Sequence, residues 1–278
     1  LDKVLPRGFV HFLACAFVFA VVGGAGYLTL QGWTDDVNDP AYRAGRERAR
    51  VAAGRAVQLA GDDSVGIPPD GAGYLLGRDP LHRGGGLFEA KCAGCHAFGG
   101  RAPKDQSAPD LKDYGSRGWL RGLLERPDSP AYFGKAPQCD GMTTWKSASK
   151  LTAKELDDVA DFVATFAAIE PETSPADWAA EAKATGHPGR TAFYRECVDC
   201  HTMGNLTERE KKTAPSPDLF AWGSKRWTSR MIKSPNHPAL YGYLESEQKM
   251  PPFGDQLTDS DVTALVRYLK GDYVPANP

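Results

Sequence analysis

Four of the six cysteines fall into two groups of one form, Cys92-Ala93-Gly94-Cys95-His96 and Cys197-Val198-Asp199-Cys200-His201. Two thiols three positions apart, followed at once by an imidazole, form the pattern for covalent haem attachment. The thiols add to the haem vinyl groups, and the adjacent histidine is then held beneath the ring, where it reaches iron. A zinc knuckle would want four thiol or imidazole ligands in a closed shell, and a thioredoxin-like dithiol has no use for the trailing histidine. The expected cofactors are two covalently bound haem c groups, with His96 and His201 as proximal iron ligands.

A distal ligand must come from the other face of each ring. In the first half of this region Met142, 46 residues after His96, is the one methionine to choose. In the second half Met203, Met231 and Met250 compete. Met203 is too close to His201 to pass round the ring, and Met231 aligns with Leu123, a core position. Met250 aligns with Met142 and opens Met250-Pro251-Pro252-Phe253, whose prolines hold a loop extended. Spacing therefore pairs His96 with Met142 and His201 with Met250. His82 and His187 offer a bis-histidine alternative, although their place just before a helix suits a cap or a surface site. Histidine–methionine ligation raises the haem potential relative to bis-histidine. Backbone carbonyls at Pro109 and Pro217 are expected to accept the second N–H of each proximal histidine. Trp119 and Trp227 are expected to pack against haem or core, and Cys139 is a bystander thiol or an alternative ligand.

These residues recur because the chain repeats itself. His82, Gly84, Phe88, Cys92, Cys95 and His96 return 105 positions later, from His187 to His201. Pro109-Asp110-Leu111, Gly115-Ser116, Trp119, Pro127, Pro130, Gly134 and Met142 return at a displacement of 108, and Leu151-Thr152 and Phe162 (as Tyr268) at 106. Two homologous domains are predicted, 84–170 and 186–278, joined by a linker over 171–185 that begins at Pro171. Each opens with a helical pattern running into its cysteines and closes with an amphipathic helix, as where Leu156, Val159, Phe162 and Val163 share a face. No alternating strand pattern occurs between them, so the fold class is mainly α. Loop-rich domains of this size have little core of their own, and a covalent haem would fill each interior.

Residues 1–33 read as a transmembrane anchor. Gly8 to Leu30 are almost wholly apolar, and roughly 20 such residues cross a bilayer as a helix. Tyr27 and Trp33 stand where an aromatic belt would lie. The run is too long for a signal-peptide core of ~7–15 residues. Cys15 and His11 are expected to be a membrane thiol and an interfacial side chain. Residues 34–83 read as an amphipathic helix, with Ala44, Ala52, Ala56 and Val57 on its apolar side, then an irregular connector over 61–83. Lys3 and Arg7 before the anchor are outnumbered by Arg43, Arg46, Arg48, Arg50 and Arg55 after it, which by charge alone favours the unexpected orientation. Covalent haem attachment outside the cytoplasm overrides that count. The opening Leu1 also suggests a processed or fused start. The net charge of −2 gives no ground for a nucleic-acid partner.

Each repeat resembles class I cytochrome c in its attachment motif, its Pro-x-Leu segment, its distal methionine and its C-terminal aromatic-bearing helix. A further resemblance involves Gly66-Ile67-Pro68-Pro69-Asp70-Gly71, Leu75-Leu76, Gly115 to Leu120, Tyr132-Phe133-Gly134 and Met142 to Trp145. These are similar to the cytochrome c module joined to cytochrome b in some bacterial quinol:cytochrome c reductases. By that resemblance the N-terminal helix would be the last transmembrane helix of the cytochrome b portion, or of its C-terminal half. The single apolar span and haem attachment outside the cytoplasm lead instead to the expectation of a single-pass protein of a bacterial inner membrane with its haem domains in the periplasm. Its partners would be cytochrome b, a Rieske iron–sulfur subunit, membrane lipid, and a soluble cytochrome c or terminal oxidase as acceptor. No acid, base or nucleophile constellation appears, so the chain is expected to carry electrons without transforming a substrate. The alternatives are a dihaem subunit of a haem–copper oxidase, a dihaem peroxidase, and the electron-accepting subunit of a dehydrogenase.

Overall fold

The computed structural model describes residues 6–134, 140–169, 172–204, 216–242, 244 and 250–275. Leu1, Lys3, Cys139 and Pro171 lie outside them. The chain divides into two compact units, Leu1–Gly73 and Tyr74–Pro278.

In the first unit α1 spans Arg7–Asn38. Among the described residues it is the one helix whose length and composition allow it to cross a membrane. Its large side chains are exposed all round, with Phe12, Phe17, Phe19, Leu28 and Trp33 each more than 60% accessible. A helix bathed in water on one side would confine such residues to a stripe. Asp35 and Asp36 are still helical, and the helix breaks at Asp39. That residue caps α2 (Pro40–Ala60), accepting the Ala41 N–H at 2.7 Å, with Pro40 pre-set for the first turn. Ala56 is buried, but Ala44 and Val57 are exposed, so the expected apolar side of α2 is only partly covered. The connector is more regular than its glycines and prolines suggested, since α3 (Gly71–Arg78) and a π-helical turn (Pro80–Gly84) form within it.

The second unit continues with α4 (Gly85–Lys91), α5 (Arg117–Glu125), α6 (Asp140–Ala148), α7 (Ala153–Ala164), α8 (Pro175–Ala184), α9 (Pro188–Glu196), α10 (Lys225–Lys233) and α11 (Asp259–Leu269). Among the described residues there are only two isolated β-bridges, His96–Ala108 and Phe98–Arg101. The duplication shows in the caps. Ser116 and Ser224 cap α5 and α10 by accepting the N–H of Trp119 and of Trp227, at 3.2 and 3.0 Å. Thr152 with Glu155, and Thr258 with Asp261, close reciprocal capping boxes on α7 and α11.

Within each repeat α5 packs on α7 and α10 on α11, but the segment leading into each attachment motif pairs with the closing helix of the other repeat. The largest helix contact is between α7 of the first repeat and α9 of the second, and the Pro80–Gly84 turn and α4 of the first pack on α11 of the second. Both crossings need a glycine. A Cβ on Gly84 would lie 2.6 Å from the Tyr268 Cβ and against the Ala264 carbonyl, and one on Gly189 would lie 2.9 Å from the Phe162 Cβ and against the Asp158 carbonyl. Around one crossing Phe162, Phe166, Phe193 and Val159 are fully buried, and around the other Phe88, Val262 and Leu265. Two turns face each other between the repeats: a Cβ on Gly115 would lie 3.3 Å from Gly223 Cα. Tyr114 stacks near Trp222 and Trp227, with ring centroids 5.0 and 6.2 Å away, and Trp119 lies 6.0 Å from Trp222. Reciprocal contacts between equivalent residues are the mark of a two-fold relation between the repeats.

Candidate functional site

The two attachment motifs sit at the ends of α4 and α9, where the helices stop at Cys92 and Cys197. The backbone then tightens, His96 N–H bonding to Cys92 O and His201 N–H to Cys197 O, both at 2.9 Å. Cys92 is buried, Cys197 half-buried, and Cys95 and Cys200 exposed, so each pair straddles the edge of the protein. In the chain without haem, burial pushes the Cys92 thiol up to about 11 and the Cys197 thiol to about 12.

Each histidine is fixed by its own proline carbonyl. His96 Nδ1 donates to Pro109 O at 2.9 Å and His201 Nδ1 to Pro217 O at 3.0 Å. That bond assigns the proton to Nδ1 and leaves Nε2 as the nitrogen free to ligate. Desolvation lowers the pKa of both imidazoles against the raising effect of those hydrogen bonds, which favours the neutral, ligating form. The loops are held in turn: Asp110 and Asp218 donate their N–H to Ala131 O and Ala239 O, at 3.0 and 3.1 Å.

His201 looks into an apolar chamber enclosing about 1140 Å³ of space including its open mouth. Cys197, Cys200 and Pro217 line one side, α5 supplies Leu120, Leu123 and Leu124, and α7 supplies Val159 and Val163. Phe193, Trp222 and Tyr241 complete the apolar wall, and Met142 and Trp145 project from α6. The spacing argument joined Met142 to His96, and here the structure differs by bringing Met142 to His201. The cause is the exchanged crossing of α7 with α9, which carries α6 and its methionine to the second attachment motif. Met250 packs against the other cluster, with Phe88 and Cys92. Met203 and Met231 pack on the cluster that surrounds the chamber.

Trp119 and Trp227 are buried in the core between the repeats and do not line this chamber. The Trp119 indole donates to Asp110 O at 2.9 Å. His187 caps α9, its Nδ1 accepting the Gly189 N–H at 3.2 Å, and His82 donates its backbone N–H to Asp79 at 3.0 Å. Sequence reasoning missed the α5 leucines, Trp145 and Trp222 as chamber lining. The helical spacing of Trp119, Leu120, Leu123 and Leu124 was the available signal.

The residues fit a haem. Among the described residues no three of His, Cys, Asp and Glu converge as a metal shell, so a zinc–thiolate site has no geometry here. The walls are apolar, one imidazole nitrogen is free, and a thioether sulfur shares the cavity. The indole N–H of Trp145, which lines the chamber, is buried without a partner among the described residues. Such a donor needs an acceptor, and haem propionates are acceptors.

The family model described as cytochrome c matches residues 81–167, and that described as cytochrome c oxidase, cbb3-type, subunit III, matches residues 184–269. The chain carries two cytochrome c domains. No curated protein and no solved structure matches it. Cytochrome c domains hold haem through thioether bonds, and the bound haem supplies a one-electron iron couple. In this chain Cys92 and Cys95, and Cys197 and Cys200, are the residues that would attach the haems. His96 and His201, oriented by Pro109 and Pro217, would serve as the proximal ligands. The chain's function is electron transfer.

Proposed function

We propose that this is a membrane-anchored dihaem cytochrome serving as the electron-transfer subunit of a cytochrome bc-type quinol-oxidising complex in a bacterial cytoplasmic membrane. Electrons arrive from a Rieske iron–sulfur centre, pass between the two haems on the periplasmic side, and leave to a soluble cytochrome c or a terminal oxidase. Cytochrome b is the membrane partner, and the chain transforms no substrate itself. The observation that carries this reading is the duplicated, preorganised ligand set. Two neutral histidines are each pinned by a proline carbonyl at 2.9–3.0 Å, and each attachment site is packed with a methionine. A rigid site of this kind suits a carrier, because ligands locked in place have little to rearrange when iron changes oxidation state. The exposed apolar length of α1 supports the anchor.

A second reading draws on the second repeat's match to the cbb3-type subunit III family, and makes the chain the dihaem subunit of a haem–copper oxidase. A dihaem peroxidase needs one iron with an open or displaceable position, which a methionine at each site opposes. The test is a reduced-minus-oxidised spectrum of the complex purified from native membranes in mild detergent, with its subunits identified. A b-haem signal beside the c-haem band, with a Rieske protein present, supports the quinol-oxidising reading. Copper and oxidase haem would move the assignment to the second reading, and rapid peroxide turnover to the third.

A further inference from the structure

We propose that the two haem sites are composite, each completed by the other repeat. Met142 is the distal ligand of the haem held by Cys197, Cys200 and His201, and Met250 that of the haem held by Cys92, Cys95 and His96. The inference rests on the haem reading above and adds which sulfur serves which iron.

Three observations carry it. Met142 and Trp145 share one chamber with Cys197, Cys200, His201 and Pro217. Met250 packs in the opposite cluster with Phe88 and Cys92. The scaffold beneath is exchanged in the same sense at both ends. α7, which follows Met142, crosses α9, which leads into Cys197. α11, which follows Met250, crosses the Pro80–Gly84 turn and α4, which lead into Cys92. An in-repeat methionine would have to leave its own helix pair to reach iron. Since Nδ1 of each histidine is committed to a proline carbonyl, Nε2 is left to ligate, and the thioether placed with it is Met142 in the chamber of His201 and Met250 in the cluster that holds Cys92. Both irons carry histidine and methionine under either pairing, so an ordinary spectrum of the wild-type protein cannot distinguish them. The pairing does change what one repeat can do: alone, neither holds a haem with both axial ligands.

The experiment uses the full-length chain with Cys92→Ser and Cys95→Ser, which retains covalent haem only at Cys197–His201. Met142→His and Met250→His are compared in it through the sulfur-to-iron charge-transfer band of the oxidised haem. Exchange predicts that Met142→His abolishes the band and lowers the potential, and that Met250→His leaves both unchanged. The reverse result overturns the proposal. In the reciprocal Cys197→Ser, Cys200→Ser chain the two variants should trade effects. Should the single-haem chains fail to fold, the helix pairing is read in the intact dihaem protein by double-mutant cycles. Arg83 reaches Asp261 of α11 at 2.7 Å, so that pair should couple, whereas Arg83 should not couple to Glu155 at the equivalent position of α7. Coupling to Glu155 and not to Asp261 overturns the exchange. Intact mass is measured first, because a chain without covalent haem overturns the haem reading itself, whereas two haems with in-repeat methionines overturn only the pairing.

Discussion

Replacing Gly84 with alanine should weaken one helix crossing by a quarter to a half, and the structure indicates what that costs. The added methyl would sit 2.6 Å from the Tyr268 Cβ and 3.0 Å from the Ala264 carbonyl carbon, against that carbonyl's oxygen. Ordinary carbon–carbon contact is about 3.5–4.0 Å, so α11 must withdraw by roughly 1 Å. Two of the obstructing atoms are main chain and cannot rotate away. A gap of that size forfeits a quarter to a half of the contact energy along the seam, which here runs through Phe88, Val262 and Leu265. Overpacking of this kind costs typically 1–3 kcal/mol, and a backbone obstacle argues for about 3. For a unit the size of Tyr74–Pro278, that lowers the melting temperature by roughly 6–12 °C. Gly86, two positions on, is exposed and a Cβ there meets nothing within 4 Å. Gly86→Ala should therefore raise stability, by up to ~1 kcal/mol, through helix propensity alone. Thermal unfolding of the purified protein followed by far-ultraviolet circular dichroism compares the two, with Gly189→Ala as the equivalent of Gly84→Ala at the second crossing. A Gly84→Ala protein melting at or above the wild type would refute the close approach on which the exchanged packing depends.

Ala221 has φ of +57°, a left-handed conformation that disfavours a side chain. Ala221→Gly should therefore raise stability by about 1 kcal/mol, measured by denaturant unfolding. Lys270 is half-buried with its Nζ donating to Tyr114 O at 3.0 Å, and desolvation lowers its pKa from 10.5 to about 8. Below pH 8 both folded and unfolded chains bind the proton and the full penalty stands. Between about 8 and 10.5 only the unfolded chain binds it, so stability rises with pH, by ~3 kcal/mol across the window. Lys270→Met should remove that rise, and parallel pH profiles of wild type and variant would contradict the assignment. Glu155 is held down at about 2 by the Thr152 N–H first, then by Arg195 of α9 and the Thr152 hydroxyl. Its contribution is present above pH 4.5 and lost towards pH 2, so wild type should lose stability relative to Glu155→Gln over that interval in an acid titration.

The attachment motifs, the proline carbonyls, the terminal amphipathic helices and the two methionines were legible in the sequence because each is a local pattern or one copy of a duplication. Which copy meets which was not, and the reason is physical. Gly84 and Gly189, Phe88 and Phe193, Phe162 and Tyr268 are equivalent, so each leading segment offers the same face to either closing helix. Even the charges are shared, since Glu155 and Asp261 occupy the same capping position and either could take an arginine. Chain connectivity does not decide either. Pairing within repeats closes segments of 61 and 62 residues, from α4 to α7 and from α9 to α11. The exchanged pairing closes 23 residues, from α7 to α9, and 167, from α4 to α11. Loop-closure entropy grows with the logarithm of length, so the short loop offsets the long one and the two arrangements differ by less than ~0.1 kcal/mol. The choice therefore lies in packing between the repeats, where Gly115 meets Gly223 and Tyr114, Trp119, Trp222 and Trp227 interleave. A duplication specifies the kind of contact a chain will make and leaves the identity of the partner to side chains that no periodicity reveals.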